Sequence, residues 1–173
     1  PSSNEYLCEL GQSEFWVGYV DYERGNLDAA TNAMEQYLDI SLKLLERDPG
    51  NADYTTELLY AHSNLGSVAR ARWDLTTAME QFEASIAINR QLLADDPDNV
   101  QIRLDLGGGY SWLGSVHLDL GDFVEATNAH QRSVDYWEEI AATNDDAKHK
   151  ERLANGNIFL GASHLYRGDF VKA

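Results

Sequence analysis

Few side chains in this sequence stand where chemistry would need them. His117 and His164 hold equivalent places in a repeating pattern, with Asp119 and Asp122 near the first, and paired imidazoles beside carboxylates are the raw material of a metal site. Two imidazoles are too few, and the acids complete no known ligand spacing, so ordinary polar or interface histidines are the simpler reading. Asp95, Asp96 and Asp98 around Pro97 supply the oxygens calcium favours, but the segment lacks the glycine and terminal glutamate of an EF-hand loop. A capped turn explains it. Gly107-Gly108-Gly109 has the composition of a phosphate cradle, yet it lies inside a helical pattern and no Lys-Ser/Thr pair follows. The run predicts a weakened or bent helix there, or an opening for a ligand's backbone. Cys8 is the lone cysteine, which excludes an intrachain disulfide and a cysteine-based zinc site. No nucleophile, base and orienting group fall together. The expectation is a protein that is not an enzyme, with no cofactor and no metal.

The elements that must position any site repeat with a period of about 48 residues, in the range that marks a stacked array whose units touch mainly their neighbours. Pro1, Pro49 and Pro97 keep that spacing, as do Gly18, Gly66 and Gly114, with Gly161 one residue early. Ala30, Ala78 and Ala126 keep the same beat, and Ala173 again comes one residue early. Each unit reads helix, turn, helix. First helices are expected over 5–24, 52–72, 100–120 and 148–167, and second helices over 27–47, 75–94 and 123–143. Leu27, Ala30, Met34, Tyr37, Leu38, Leu42 and Leu45 form one stripe of period 3.6.

The turns agree with this layout. Gly25-Asn26, Gly121-Asp122 and Gly168-Asp169 pair a left-handed helix stop with a residue that caps the next helix. Trp73-Asp74 keeps the cap but lacks the glycine, which predicts a different geometry or strain. Asp48-Pro49-Gly50-Asn51 and Asp96-Pro97-Asp98-Asn99 separate the units, and Asn144-Asp145-Asp146-Ala147 does so without proline. A glycine in mid-helix costs roughly 1 kcal/mol relative to alanine. Its recurrence at 18, 66, 114 and 161 therefore implies close approach of a partner helix, with Ala30, Ala78 and Ala126 as the complementary small surface.

Composition bounds the partners. Of 173 residues, 43% are hydrophobic, enough for a real core, while no apolar run is long enough to span a bilayer. The net charge is −16, from 13 basic and 29 acidic residues. Such a surface repels phosphate backbones, so nucleic acid is not an expected partner, nor is a membrane. It attracts a basic peptide or protein, although general solubility or a salty habitat would select the same composition. A cytoplasmic setting is the default from cysteine usage. The chain begins without Met and stops early in a helical pattern, which reads as a fragment of a longer protein.

The pattern resembles the tetratricopeptide repeat (TPR), whose Trp-x2-Leu-Gly-x2-Tyr, Ala-x3-Phe and Pro positions survive in part. The second unit has His62, Leu65, Gly66, Ala69, Ala78 and Phe82; the third has Tyr110, Leu113, Gly114, His117, Ala126 and His130. The period exceeds the family's 34 by about four helical turns. This is similar to a long-repeat variant common in bacterial multidomain proteins. The resemblance implies an all-α fold of seven helices, in antiparallel pairs stacked as a right-handed superhelical solenoid. It spans residues 1–173 as a single array, with units of about 1–48, 49–96, 97–144 and a truncated 145–173.

In that family the first helix of each pair lines the concave groove. Carried over by register, this places Trp16 and Tyr19, Asn64 and Arg70, Trp112 and Ser115, and Phe159 and Tyr166 on the inner face. Trp16, Asn64, Trp112 and Phe159 share one register and should form a row. The rings then serve as binding anchors, or simply pack between long first helices. Asn64 stands where chaperone-binding repeats grip a peptide's terminal carboxylate, but only Arg70 is at hand to assist, so that role is not expected. The implied function is protein or peptide binding by a scaffold or regulatory module. Self-association through uncovered terminal helices, giving a homo-oligomer, is the alternative.

Overall fold

The computed structural model describes residues 3–143 and 146–168. Pro1, Asn144, Asp145, Asp169, Phe170 and Ala173, which entered the repeat and turn expectations, lie outside the described residues. The described residues form seven helices: α1 (Asn4–Glu23), α2 (Leu27–Arg47), α3 (Ala52–Ala71), α4 (Leu75–Asp95), α5 (Val100–Leu120), α6 (Phe123–Thr143) and α7 (Ala147–Arg167). Every boundary falls within one residue of the expected one. Among the described residues, no helix is long and apolar enough to cross a membrane.

The chain divides into two compact units, Pro1–Ser85 and Ile86–Ala173, with α4 contributing to both. In the first, α1 packs on α2 and α2 on α3. Gly11 faces Ile40 while Gly18 faces Met34, so α1 and α2 run antiparallel. Ala30, Met34, Tyr37, Ala61, Leu65 and Val68 form its core. In the second unit Gly107 faces Trp137 and Gly114 faces His130, giving the same antiparallel pairing of α5 and α6. Two further clusters fill it, Ile86, Leu106 and Tyr110 on one side and Leu104, Trp137 and Ile140 on the other.

The repeating glycines make room, but for a different neighbour than expected. A Cβ on Gly18 would meet Met34, one on Gly66 the ring of Phe82, and one on Gly114 the ring of His130. These three partners keep the repeat period themselves, each one helical turn beyond the buried Ala30, Ala78 or Ala126. It is therefore the large side chain that fills the space above the glycine. At Gly161 a Cβ would meet nothing within 4 Å.

Two glycines of the run in α5 likewise make room for neighbouring side chains. The helix continues through it unbroken. Gly107 seats the Trp137 indole and Gly109 seats Ile86, while Gly108 faces open space. Ser133 Oγ donates to the Gly107 carbonyl at 2.7 Å, drawing α6 against α5 at that point.

The turns repeat closely. At Gly25, Trp73 and Gly121 the backbone is left-handed, with φ of 76°, 62° and 80°. In each case the residue's own N–H bonds three residues back and the next N–H bonds five residues back, the Schellman arrangement. Trp73 thus keeps the geometry of its glycine counterparts, and any cost appears as backbone strain. Asn51 caps α3 through Asp53 N and Tyr54 N, Asn99 caps α5 through Ile102 N, Asp74 accepts from Thr77 N, and Asp146 accepts from Lys148 N. Asn26 departs from expectation. Its side chain makes no cap bond to α2 and instead donates to Asp21 Oδ1 at 3.0 Å, tying the turn back to α1.

Candidate functional site

The first unit carries a cavity of 530 Å³ lined by Gln12, Phe15, Trp16, Tyr37, Glu57, Tyr60 and Asn64. Helical spacing explains the convergence. Gln12, Phe15 and Trp16 share one face of α1, and Glu57, Tyr60 and Asn64, at i, i+3 and i+7, share one face of α3. Tyr37 reaches the same space from α2. Trp16 and Asn64, expected in one row, do line a common space.

Trp16 is 60% exposed, yet it is held by other rings. Its centroid lies 5.0 Å from that of Phe15 and 6.0 Å from that of Tyr19, both edge-to-face, and Phe15 lies 5.8 Å from Tyr37. Edge-to-face pairs of this kind favour one relative orientation of the rings. Asn64 Nδ2 donates to the Tyr60 carbonyl at 2.7 Å, which leaves its side-chain oxygen as the group available to accept. Tyr37 donates its hydroxyl to Glu57 Oε2 at 2.5 Å. Burial, reinforced by that hydrogen bond and by the Glu57 charge, pushes the Tyr37 phenol well above its ordinary range.

Arg70 does not line this cavity. It lies on the last turns of α3, about 9 Å along the axis from Asn64, half-buried and with interactions of its own. In the second unit Trp112 is exposed on α5. Ser115 is buried, and its hydroxyl donates to the Ser111 carbonyl at 3.0 Å. Phe159, on α7, stacks on His130 at 5.7 Å, and Tyr166 stacks on Phe123 at 5.7 Å. His117 Nδ1 is 3.8 Å from Asp122 Oδ2. Among the described residues no group of three or more His, Cys, Asp or Glu gathers as metal ligands would.

Glu57 is the residue that sequence reasoning passed over. It was legible, because it lies three and seven residues before Tyr60 and Asn64 and so belongs to their stripe. An isolated acid in a chain this acidic gives no other signal. The second unit also holds a mixed-charge cavity of 390 Å³ lined by Arg90, Tyr110, Arg132, Asp135, Tyr136 and Glu139. There the Arg132 guanidinium sits 5.5 Å over the Tyr110 ring, and Tyr110 stacks on Tyr136 at 6.1 Å.

Antiparallel helix hairpins recurring at a fixed period, each built on a glycine seated under a large side chain, define a TPR-like helical-repeat protein. Residues 58–98 match the tetratricopeptide repeat family. No curated protein matches the sequence significantly. Among solved structures, the apo form of RapI superposes with a TM-score of 0.73 at 14% identity. That match covers 93% of this chain and 50% of RapI, so the chain spans half of that protein's length. BtubC from P. vanneervenii (TM-score 0.45, 13% identity, 98% of this chain and 86% of BtubC) and MamA (0.35, 15%, 95% of each) also match. Folds of this class generally serve as protein-interaction scaffolds and are typically non-catalytic.

Proposed function

We propose that this array binds a peptide, or an extended segment of a protein, on the face of its first unit lined by α1 and α3. The observation that carries the reading is the cavity between α1 and α3, lined both by the exposed Trp16 and by Asn64, whose amide nitrogen is the group bonded to the Tyr60 carbonyl. Aromatic anchors of low conformational freedom supply most of the energy at such surfaces. Tyr19 adds a further ring on α1 and Arg70 supplies a cation near the end of α3; within the second unit, Trp112, Phe159 and Tyr166 are the rings its first helices expose. Ser115, being buried, adds no donor.

Selection from a random dodecapeptide display library tests this. Enriched peptides should bind the wild type and be lost by a Trp16→Ala, Asn64→Ala double variant that still unfolds cooperatively. Equal binding by both proteins would move the site elsewhere, and failure to enrich any peptide would overturn the reading.

A second reading is favoured by α7, which exposes Ile158, Leu165 and Tyr166. A contiguous apolar helix face is a surface for a second copy of the chain. Light-scattering mass that rises with concentration, and falls back in an Ile158→Glu, Leu165→Glu variant, is its expected signature. A constant monomer mass would remove it.

A further inference from the structure

We infer that the cavity of the first unit is a receptor for a positively charged side chain, an arginine, carried by the bound peptide. The inference rests on the peptide-binding reading above and names the residue that the face selects. Its walls decide the charge. Phe15, Trp16 and Tyr60 present aromatic groups, Glu57 presents a carboxylate, and Asn64 an amide oxygen. Among the described residues, no Lys, Arg or His lines the space. An adjoining cavity of 340 Å³ shares Tyr37 and Glu57 and brings a second carboxylate, Asp53.

The other occupants each leave something unpaired. An apolar side chain would cover the Glu57 carboxylate without a compensating charge, and burying an unpaired charge is costly. An anionic group would meet Glu57 head on. A cation satisfies all the walls together. Its face meets the rings, which attract cations through their quadrupoles, and its N–H groups meet Glu57 and the Asn64 oxygen. Glu57 accepts one hydrogen from Tyr37, and a carboxylate has roughly four acceptor positions, so room remains for a guanidinium fork. The planar fork both pairs with a carboxylate and stacks on an indole, which the compact ammonium of lysine does less well.

The second unit supplies an internal comparison. Asp105 stands one repeat period after Glu57. Burial raises its pKa, while the hydrogen bond from Gln101 and the charge of Arg152 act against that rise. In the second unit the positive charge of Arg152, on α7, favours the ionised form of the carboxylate at this register, while the hydrogen-bond partner of that carboxylate is the neutral Gln101. At Glu57 the hydrogen-bond partner is a neutral tyrosine.

The test uses N-acetyl-arginine amide and its neutral isostere N-acetyl-citrulline amide as probes, read by chemical shifts of the Trp16 indole N–H and the Asn64 side-chain amide. Saturable shifts with the arginine probe are expected, with citrulline weaker by roughly tenfold or more. In Glu57→Gln, which keeps an acceptor for the Tyr37 hydroxyl, the two probes should become equivalent. Equal affinity of the probes for wild type, persistence of the preference in Glu57→Gln, or no movement of Trp16 would each overturn the inference. Display-selected peptides that need Trp16 and Asn64 but carry no cation would overturn it too, and would leave the peptide-binding reading standing.

Discussion

Gly107 and Trp137 are in direct contact: a Cβ on Gly107 would stand 2.3 Å from the indole Nε1. On its other edge the indole is packed closely on Gly156 of α7, where a Cβ would lie 2.8 Å away, so it has little room to retreat. Gly107→Ala should therefore destabilise the second unit by about 1–3 kcal/mol or more, the cost of overpacking a closed site. Gly108→Ala, one residue on, meets open space and should stabilise by about 0.5–1 kcal/mol through helix propensity alone. Denaturant unfolding of the two variants side by side checks both signs.

The turn at Trp73 makes a prediction of the opposite kind. A bulky residue in the left-handed region costs roughly 1–2 kcal/mol, and this ring is 71% exposed, so its packing returns little. Trp73→Gly should raise stability by about 0.5–1 kcal/mol once the freer unfolded chain is allowed for. Trp73→Asn should also be neutral or stabilising. A thermal melt that shifts downward for both would show that the indole makes a contribution the backbone argument omits.

The helices were legible because their ends are written in residues whose chemistry is local. Asn51 and Asn99 cap as their types predict, and Gly25 and Gly121 turn left-handed as only glycine does cheaply. What escaped was non-local. Whether Gly107 bends a helix or seats a ring depends on Trp137, on the partner helix. Whether Asn26 caps α2 or bonds back to Asp21 depends on the backbone it inherits from the turn. In the candidate site, register placed Trp16 and Asn64 in one row, and both line the cavity of the first unit. Glu57 was missed because its meaning comes from the rings opposite it and the hydroxyl of Tyr37 behind it.

Tyr37 gives the molecule an alkaline limit. Its phenol, ordinarily near 10.0, is raised by burial and by Glu57, so the folded state holds that proton more tightly than the unfolded one. The stabilisation is complete below pH 10 and is lost as pH rises beyond it, because the unfolded state then gains by ionising first. Tyr136, raised chiefly by burial, acts in the same direction. Unfolding free energy should thus fall steeply above about pH 10, and Tyr37→Phe should flatten the slope while leaving the part due to Tyr136. At neutral pH the same variant should lose about 1.5–3 kcal/mol for its hydrogen bond to the charged Glu57. An unchanged alkaline slope in Tyr37→Phe would contradict the assignment.

His130 occupies, in the second unit, the position Phe82 holds one repeat period earlier, and it is 1% exposed. Its Nε2 lies 3.2 Å from the Ser111 carbonyl, which only accepts, so that nitrogen carries a proton; its Nδ1 lies 2.7 Å from Ser163 Oγ. Both partners have other groups to bond. Ser115 Oγ donates to the Ser111 carbonyl, and the Ser163 hydroxyl, whose one hydrogen can go to Nδ1, also has the Phe159 carbonyl within reach at 2.9 Å. Removing the imidazole therefore orphans neither group, which is the circumstance in which losing a hydrogen bond is cheap. His130→Phe keeps a ring against Gly114 and Phe159 and should change stability by less than about 1.5 kcal/mol. His130→Ala opens a void where α5, α6 and α7 meet and should cost about 2–5 kcal/mol. If phenylalanine proved as damaging as alanine, the polar contacts rather than the ring would be what fixes α7 to the second unit.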